Sequence, residues 1–301
     1  MIFGSGFAEN ITKKTVFYRK KILWNDIKTL AFINNPKKLF NLLEKKNIDV
    51  PKWSIDQPSN DEVWLEKNIS SVGGYMVKFH NKSYYPIIPL NGKYFQKFIK
   101  GEIISAQFFC EKKSRNLLSI CKQSNLKIKS KQFIIESIFT RKTDDKLIKN
   151  LSQLVSRVSK ILDLKGLNSI DIIIPKENKN LLKIIEINPR PSLSINILSR
   201  IYKNKLLHDN IKFKKPKKVF ATKILYSSKK IKINNIIFKR ILKLANSLNY
   251  SELPVKNEII DKNMPICLIH SESKDEIEMQ KNLSYLTNNF NKVLQTSGDD
   301  L

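Results

Sequence analysis

Glycine, cysteine, histidine and acid are all scarce in this chain. Eight glycines serve 301 residues, well below the average usage of about 7%. An adjacent pair, Gly73-Gly74, therefore marks a place where the backbone needs unusual freedom or close approach. The three cysteines, Cys110, Cys121 and Cys267, are odd in number and far apart. That pattern excludes a disulfide framework and fits a reducing, cytoplasmic setting. His80, His208 and His270 share no zinc-like spacing with them. No apolar run approaches the roughly 18 residues that span a bilayer. No cationic segment with an apolar core opens the sequence, so neither a membrane span nor a signal peptide is expected.

Lys and Arg number 55 against 27 Asp and Glu, a formal net charge of +28. Such an excess suits a polyanionic partner, either nucleic acid or phosphate-rich ligands. It also fits a general drift toward Lys, Ile and Asn, because the lysines are spread along the whole chain. No zinc finger, aromatic RNA-binding run or other nucleic-acid module is present, so nucleic acid is not the expected partner. The densest cluster, 212–218, is interrupted by Phe213 and Pro216 and reads as a boundary. The length suggests about two domains. A hydrophobic content of 41% is too high for disorder.

The stretch that carries chemistry is 166–194, GLNSIDIIIPKENKNLLKIIEINPRPSLS. Two apolar runs, 170–174 and 181–187, flank a polar segment headed by Pro175, which predicts an antiparallel hairpin. Each run carries one acid, Asp171 and Glu186. A turn centred between Asn178 and Lys179 opposes them across the ladder. Asn188, two residues on, then points the same way as Glu186. Opposed carboxylates repel, and among isoleucines an unpaired charge is costly. A hard dication relieves both, since Mg²⁺ takes one or two carboxylates plus water and phosphate oxygens. The Asn188 amide oxygen would be a third ligand, and Arg190 follows within reach of a transferred phosphate. A turn offset by one residue would instead place the acids on opposite faces, both solvated. Spacing alone leaves both arrangements open.

GLNSIDIII followed by IIEINPRPS resembles the closing strands of the ATP-grasp superfamily. In that family an acid on one strand and a Glu-x-Asn pair on the next hold two Mg²⁺ ions. The resemblance thus implies Asp171, Glu186 and Asn188 as ligands of Mg²⁺ (or Mn²⁺) beside ATP. Upstream, EVWLEK and YMVKF read as strands joined by 68–74, with Lys67 at the end of the first. This is no Walker A loop, because Gly-Lys-Ser/Thr at the required offset is absent. It resembles the family's flap over the triphosphate, which implies nucleotide contacts from Lys67, Ser71, Gly73 and Gly74. A plain hairpin with a glycine turn is the alternative. YFQKFIKGEIISAQFFC, 94–110, resembles the interlobe hinge, implying that Gln96, Lys97, Phe98 and Ile99 flank the adenine. The ribose-binding acid of the family is replaced by Ile103, with Glu102 one residue early. Asn35-Pro36 opens a helix with the stripe Leu39, Phe40, Leu42 and Leu43. It resembles the family's first helix, whose early lysine touches phosphate. Lys37 is the candidate and Lys38 the next, a solvated lysine being the alternative. Gly4-Ser5-Gly6 reads as a turn.

An amphipathic helix is predicted over 144–164, with Gly166 as its left-handed stop. A second apolar-patterned segment covers 193–208. The remainder reads as strands ATKILYS and PICLIHS, then a helix from Lys274 with Ser273 and Glu276 as capping box and Ile277 on its inner face. The segment 252–267 resembles the ATP-grasp subgroup associated with tetrahydromethanopterin-linked one-carbon metabolism. The expected fold class is α+β: an ATP-grasp fold of two α+β lobes clasping ATP. The expected domains are a truncated N-terminal pre-domain (1–35), an ATP-grasp domain (36–211; flap lobe 60–95, metal lobe 96–211) and a small α/β C-terminal region (212–301). The implied activity is ATP- and Mg²⁺-dependent joining of a small-molecule carboxylate to an amine through an acyl phosphate. Lys67 would offset phosphate charge. Arg190 would stabilise the transferring phosphoryl group or the tetrahedral adduct. A homodimer is compatible with this reading, though nothing in the sequence selects it. A non-catalytic nucleotide-binding protein of the same fold and a basic polyanion-binding protein are the rival classes.

Overall fold

A computed structural model describes residues 25–58, 62–69, 73–81, 92–111, 114–126, 132–203 and 211–295. Gly4-Ser5-Gly6, Ser71 and His208 lie outside the described residues. The chain begins with α1 (Ile27–Ile33), α2 (Pro36–Lys45), β1 (Trp53–Ser54), β2 (Trp64–Asn68), β3 (Val77–Phe79) and β4 (Lys93–Lys97). It continues with β5 (Gly101–Cys110), β6 (Arg115–Asn125), β7 (Ile135–Thr140), α3 (Asp145–Ile161), β8 (Gly166–Pro175), β9 (Lys183–Asn188) and α4 (Ile195–Tyr202). Last come β10 (Val219–Tyr226), β11 (Ile231–Lys232), α5 (Asn235–Ala245), β12 (Tyr250–Ser251), β13 (Ile259–Ile260), β14 (Pro265–Ser273) and α6 (Glu276–Leu294). The described residues fall into two compact units, one drawn from Met1–Ile135 and Lys142–Lys215, the other from Glu136–Arg141 and Pro216–Leu301.

The first unit holds two sheets. The smaller has the order β1-β4-β2-β3, and the larger runs β6-β5-β8-β9, each with antiparallel neighbours. One face of the larger sheet is apolar. Ile104, Ala106, Phe108, Ile170, Ile172, Ile174, Ile184 and Ile187 pack there with Leu151, Val155 and Val158 of α3 and Leu39, Phe40 and Leu43 of α2. Burying each of the larger of these side chains stabilises the fold by about 1.5–3 kcal/mol. Asn35 caps α2 by accepting from the Lys38 N–H at 3.0 Å, and Pro36 fills the first helical position. Asp144 caps α3 the same way, from Leu147 at 2.7 Å. α3 ends at Ile161, earlier than the sequence suggested. Asp163 takes the left-handed position at φ 47°, and Gly166 instead opens β8 at φ 68°.

Strict alternation fails at two points of the larger sheet, and both failures matter. Gln107 faces Ser119 while Phe108 faces Leu117, so Leu118 is an extra residue in β6. Asp171 faces Glu186 while Ile172 faces Ile184, so Ile185 is an extra residue in β9. Each bulge lets two core residues stand three apart, Leu117 with Ile120 and Ile184 with Ile187. The residue before the second of each pair, Ser119 or Glu186, is thereby turned to the opposite face.

In the second unit the order is β12-β14-β10-β7, with a β11-β13 ribbon. Ala221, Leu225, Cys267 and Ile269 pack under Ile237 and Ile241 of α5 and Met279, Leu283 and Phe290 of α6. α6 is capped by Asp275, whose carboxylate accepts from Glu278 N–H at 2.8 Å. Ser273 belongs to β14 and bonds Ser271, and Ile277 is 71% exposed, so neither plays the part the sequence suggested. α5, capped by Asn234, was not read from sequence. All three cysteines are free and buried. Burial pushes the thiol of Cys110 up to about 11 and those of Cys121 and Cys267 to about 12. Among the described residues no helix is long and apolar enough to cross a membrane.

Candidate functional site

The face of the larger sheet opposite the core is built in cross-strand rows. The first row is Cys121, Ser105, Asp171 and Glu186, one residue from each of β6, β5, β8 and β9. The next is Ser119, Gln107, Ser169 and Asn188. Asp171 and Glu186 are therefore directly opposed, as one of the two arrangements read from the sequence requires. Beyond the bulge the pairing slips by one residue, which the sequence did not reveal.

Asp171 is held on several sides. Gln123 donates to its Oδ1 at 3.2 Å and Asn188 Nδ2 to its Oδ2 at 3.3 Å. Burial pushes its carboxyl above the ordinary carboxylate range, against the pull of Ser105 and Gln123 hydrogen bonds and the charges of Arg190 and Lys67. Lys67 reaches this cluster from β2 of the smaller sheet and is only 8% exposed. Its ammonium donates to Gln96 Oε1 at 2.9 Å and lies 5.8 Å from the centre of the Tyr94 ring, the residue opposite it on β4. Burial lowers its pKa, while the charges of Glu186 and Asp171 act to raise it. Burial also raises the Tyr94 phenol, with Glu186 adding to the effect.

Because Lys67 can only donate, Gln96 must offer it the oxygen. Gln96 Nε2 then has no partner among the described residues. On the other face of β2, burial acts to raise the Glu66 carboxyl, yet Lys93 at 2.7 Å and Lys78 at 3.4 Å bring it below the ordinary range.

The other predicted positions divide. Gly73 and Gly74 have φ of 64° and 78° in the β2–β3 turn. A Cβ on Gly74 would stand 1.9 Å from the Phe133 carbonyl oxygen, so its immediate role is close backbone approach to 133–135. Ile135 N–H accordingly donates to the Gly73 carbonyl at 3.1 Å. At the hinge, Lys97 N–H and Phe98 N–H are already used by the carbonyls of Lys52 and Val63, whereas Ile99 N–H has no partner among the described residues. The Lys97 ammonium pairs with Glu62. Phe98 and Phe133 both set their rings edge-on to Phe79. Ile103 lies on the Ser105 side of β5, while Glu102 pairs with Lys122 across the other side. Lys37 is exposed on the first turn of α2 and has no contact with the Asp171 cluster among the described residues.

Arg190 is 6% exposed. The turn that carries it is fixed from afar: Asn25 donates to Asn168 Oδ1 at 2.7 Å and to the Pro189 carbonyl at 2.8 Å. Sequence reasoning missed Asn25, Ser105, Gln123 and Tyr94. Ser105 and Gln123 carry a weak signal as polar residues within apolar strands.

No group of three His, Cys, Asp or Glu fit to hold a metal occurs among the described residues. A cation at this site would rest on two carboxylates and the Asn188 amide, which turned over presents oxygen. That donor set is all oxygen and incomplete without water or phosphate, as suits Mg²⁺.

Comparison with known proteins gives a consistent picture. The ATP-grasp domain family matches residues 33–194, over half of the chain. The fold is similar to that of L-amino acid ligase from Bacillus licheniformis, at 13% identity and a TM-score of 0.64, covering 86% of this chain and 72% of that one. It is similar also to N5-carboxyaminoimidazole synthetase from Staphylococcus aureus complexed with ADP, at 10% identity and 0.66, covering 89% and 74%. An ATP-grasp superfamily protein from Archaeoglobus fulgidus matches at 18% and 0.54, covering 80% and 68%. No curated protein sequence matches the chain. These comparisons lend no support to the tetrahydromethanopterin-linked subgroup. With an α+β architecture in which a lysine from a glycine-turn sheet meets two opposed strand carboxylates, the chain belongs to the ATP-grasp family.

Proposed function

We propose that the chain is an ATP- and Mg²⁺-dependent ligase that activates a small-molecule carboxylate as an acyl phosphate for attack by an amine. One observation carries the reading: Asp171 and Glu186 are paired across β8 and β9 on the face that also buries the Lys67 ammonium. Burial makes a charged Asp171 carboxylate costly, and a cation beside it would offset that cost. Asp171, Glu186 and Asn188 would hold Mg²⁺ or Mn²⁺, which when bound supplies charge neutralisation at the nucleotide's outer phosphates. The ligase and synthetase names of the Bacillus and Staphylococcus neighbours, the latter with ADP, support a nucleotide-dependent bond-forming enzyme.

The chain's own residues position and neutralise. Lys67 draws negative phosphate toward the acids that would otherwise repel it. Gly73 and Gly74 cover the phosphates from the β2–β3 turn. The Gln96–Ile99 hinge takes the adenine, through the Ile99 N–H and the Gln96 amide, with Phe98 against the ring. Lys97 contributes backbone only, since its side chain is bound to Glu62. Lys37 would act on the nucleotide at long range at most. A substrate carboxylate oxygen attacks the γ-phosphorus and ADP leaves. The amine then attacks the acyl carbon and phosphate leaves with the bonding pair. Arg190 stabilises the charge that develops at these steps.

The test is ADP formation with a panel of carboxylates and amines. It should require both substrates and Mg²⁺. It should fall by about 100-fold or more in Asp171→Asn and Glu186→Gln, with both variants still folded. Turnover unchanged in both substitutions would remove the assignment.

A further inference from the structure

In the second polar row Asn188 is already given to the cation, but the rest of it, Ser119, Gln107 and Ser169, has no task in the reaction so far described. Three observations give it one. First, its donors outnumber their partners. Ser119 donates to Gln107 Oε1 at 2.5 Å, and Gln107 Nε2 is left without a partner among the described residues although Gln107 is 1% exposed. A buried amide that lacks an acceptor costs free energy, and such a group signals a missing polar partner. Second, the row is flanked by hydroxyls from the turn after Arg190. Ser169 Oγ donates to Ser192 Oγ at 3.4 Å, and Ser192 and Ser194 share a 2.7 Å hydrogen bond. Third, the face ends one row later. Phe109 and Leu167, opposite each other, join Leu118, Leu198 and Tyr202 in an apolar cluster. The Tyr202 hydroxyl donates to the Leu118 carbonyl at 2.7 Å, which fastens α4 over that end.

Direction follows from β5. It leaves the hinge at Gly101, meets the acid row at Ser105, the amide row at Gln107 and the apolar row at Phe109. Strands rise about 3.4 Å per residue, so successive rows are about 7 Å apart. A nucleotide laid from hinge to acid row ends where the amide row begins. The reacting carboxylate then lies near the acid row, and the rest of the acid lies against Gln107 before the apolar row stops it.

We infer that the amide row is the pocket for the acid substrate, and that Gln107 is its specificity-determining residue. The pocket takes a short carboxylic acid with an oxygen acceptor a few carbons from the reacting carboxylate, such as a dicarboxylate or a hydroxy acid. Purely alkyl acids leave Gln107 Nε2 unpartnered, and long or aromatic acids meet Phe109 and Leu167. This inference rests on the proposed ligase reading for which end of the acid reacts, but it makes its own prediction about binding.

The experiment measures binding of succinate, malate, butyrate, valerate and octanoate to the full chain saturated with Mg²⁺ and a non-hydrolysable ATP analogue. Titration calorimetry on wild type, Gln107→Leu and Gln107→Met supplies the affinities, and melting curves identify any variant that fails to fold. Hydroxamate formation from the same acids, ATP and hydroxylamine is followed in parallel. Wild type should bind succinate or malate about tenfold or more tighter than butyrate and valerate. That preference should shrink to within about threefold in the folded variants. Equal affinities in wild type, a preference that survives both substitutions, or no binding by any acid overturns the pocket. Selective binding without ATP-dependent hydroxamate keeps the pocket and removes the ligase reading. Hydroxamate formed as readily from butyrate as from succinate keeps the ligase and removes the pocket.

Discussion

Asp171 and Lys67 are pushed toward their neutral forms by the same burial, and each is partly held charged by the other. The consequence for Asp171 has a definite sign. A carboxyl whose folded pKa is raised contributes stability at acid pH, and that stability is lost as pH rises through the folded value. Melting temperatures in the presence of a chelator should therefore show wild type losing ground to Asp171→Asn as pH rises from acid toward neutral. Parallel curves would mean that Asp171 is not under this strain. Lys67 makes a different prediction, because the proposed function sets it against phosphate and not the reacting carbonyl. Lys67→Ala should raise the KM for ATP about tenfold with kcat changed far less. Steady-state kinetics that showed only kcat falling would place Lys67 at the reacting centre instead.

At the scale of elements, much of what is local was legible, and what depended on the exact cross-strand pairing was not. The caps at Asn35 and Asp144 follow from sequence neighbours within a turn, and the opposition of Asp171 to Glu186 is one of the two arrangements that the hairpin spacing left open. The bulges at Leu118 and Ile185 do not, since an extra residue is defined only against its partner strand. Yet those bulges carry Ser119 and Glu186 to the polar face, so the site depends on the least legible feature of the sheet. α5 was missed because Lys239, Arg240 and Lys243 dilute its apolar stripe, although Asn234 is a good cap. Gly74 was read as freedom for a phosphate, and its Cβ space is taken up by the Phe133 backbone as well, which the sequence did not show. Gly74→Ala should accordingly destabilise by about 1–3 kcal/mol. Hydrogen exchange should quicken over 73–79, where the turn is held to 133–135. Unchanged protection there would mean that the turn is not anchored by this contact.

For the molecule as a whole, the charge of +28 gives any polyanion a reason to approach. What sets the nucleotide reading apart is that its charges are local and partly buried, with Lys67 and Arg190 both under 9% exposed. General attraction would survive the loss of one carboxylate, whereas a shared dication would not. Mn²⁺ titration followed by paramagnetic resonance, with ADP present, separates the two most directly. Wild type should bind Mn²⁺ and ADP together, and Glu186→Gln should weaken that joint binding about 100-fold while remaining folded. Equal joint binding by wild type and Glu186→Gln would contradict a dication held between β8 and β9.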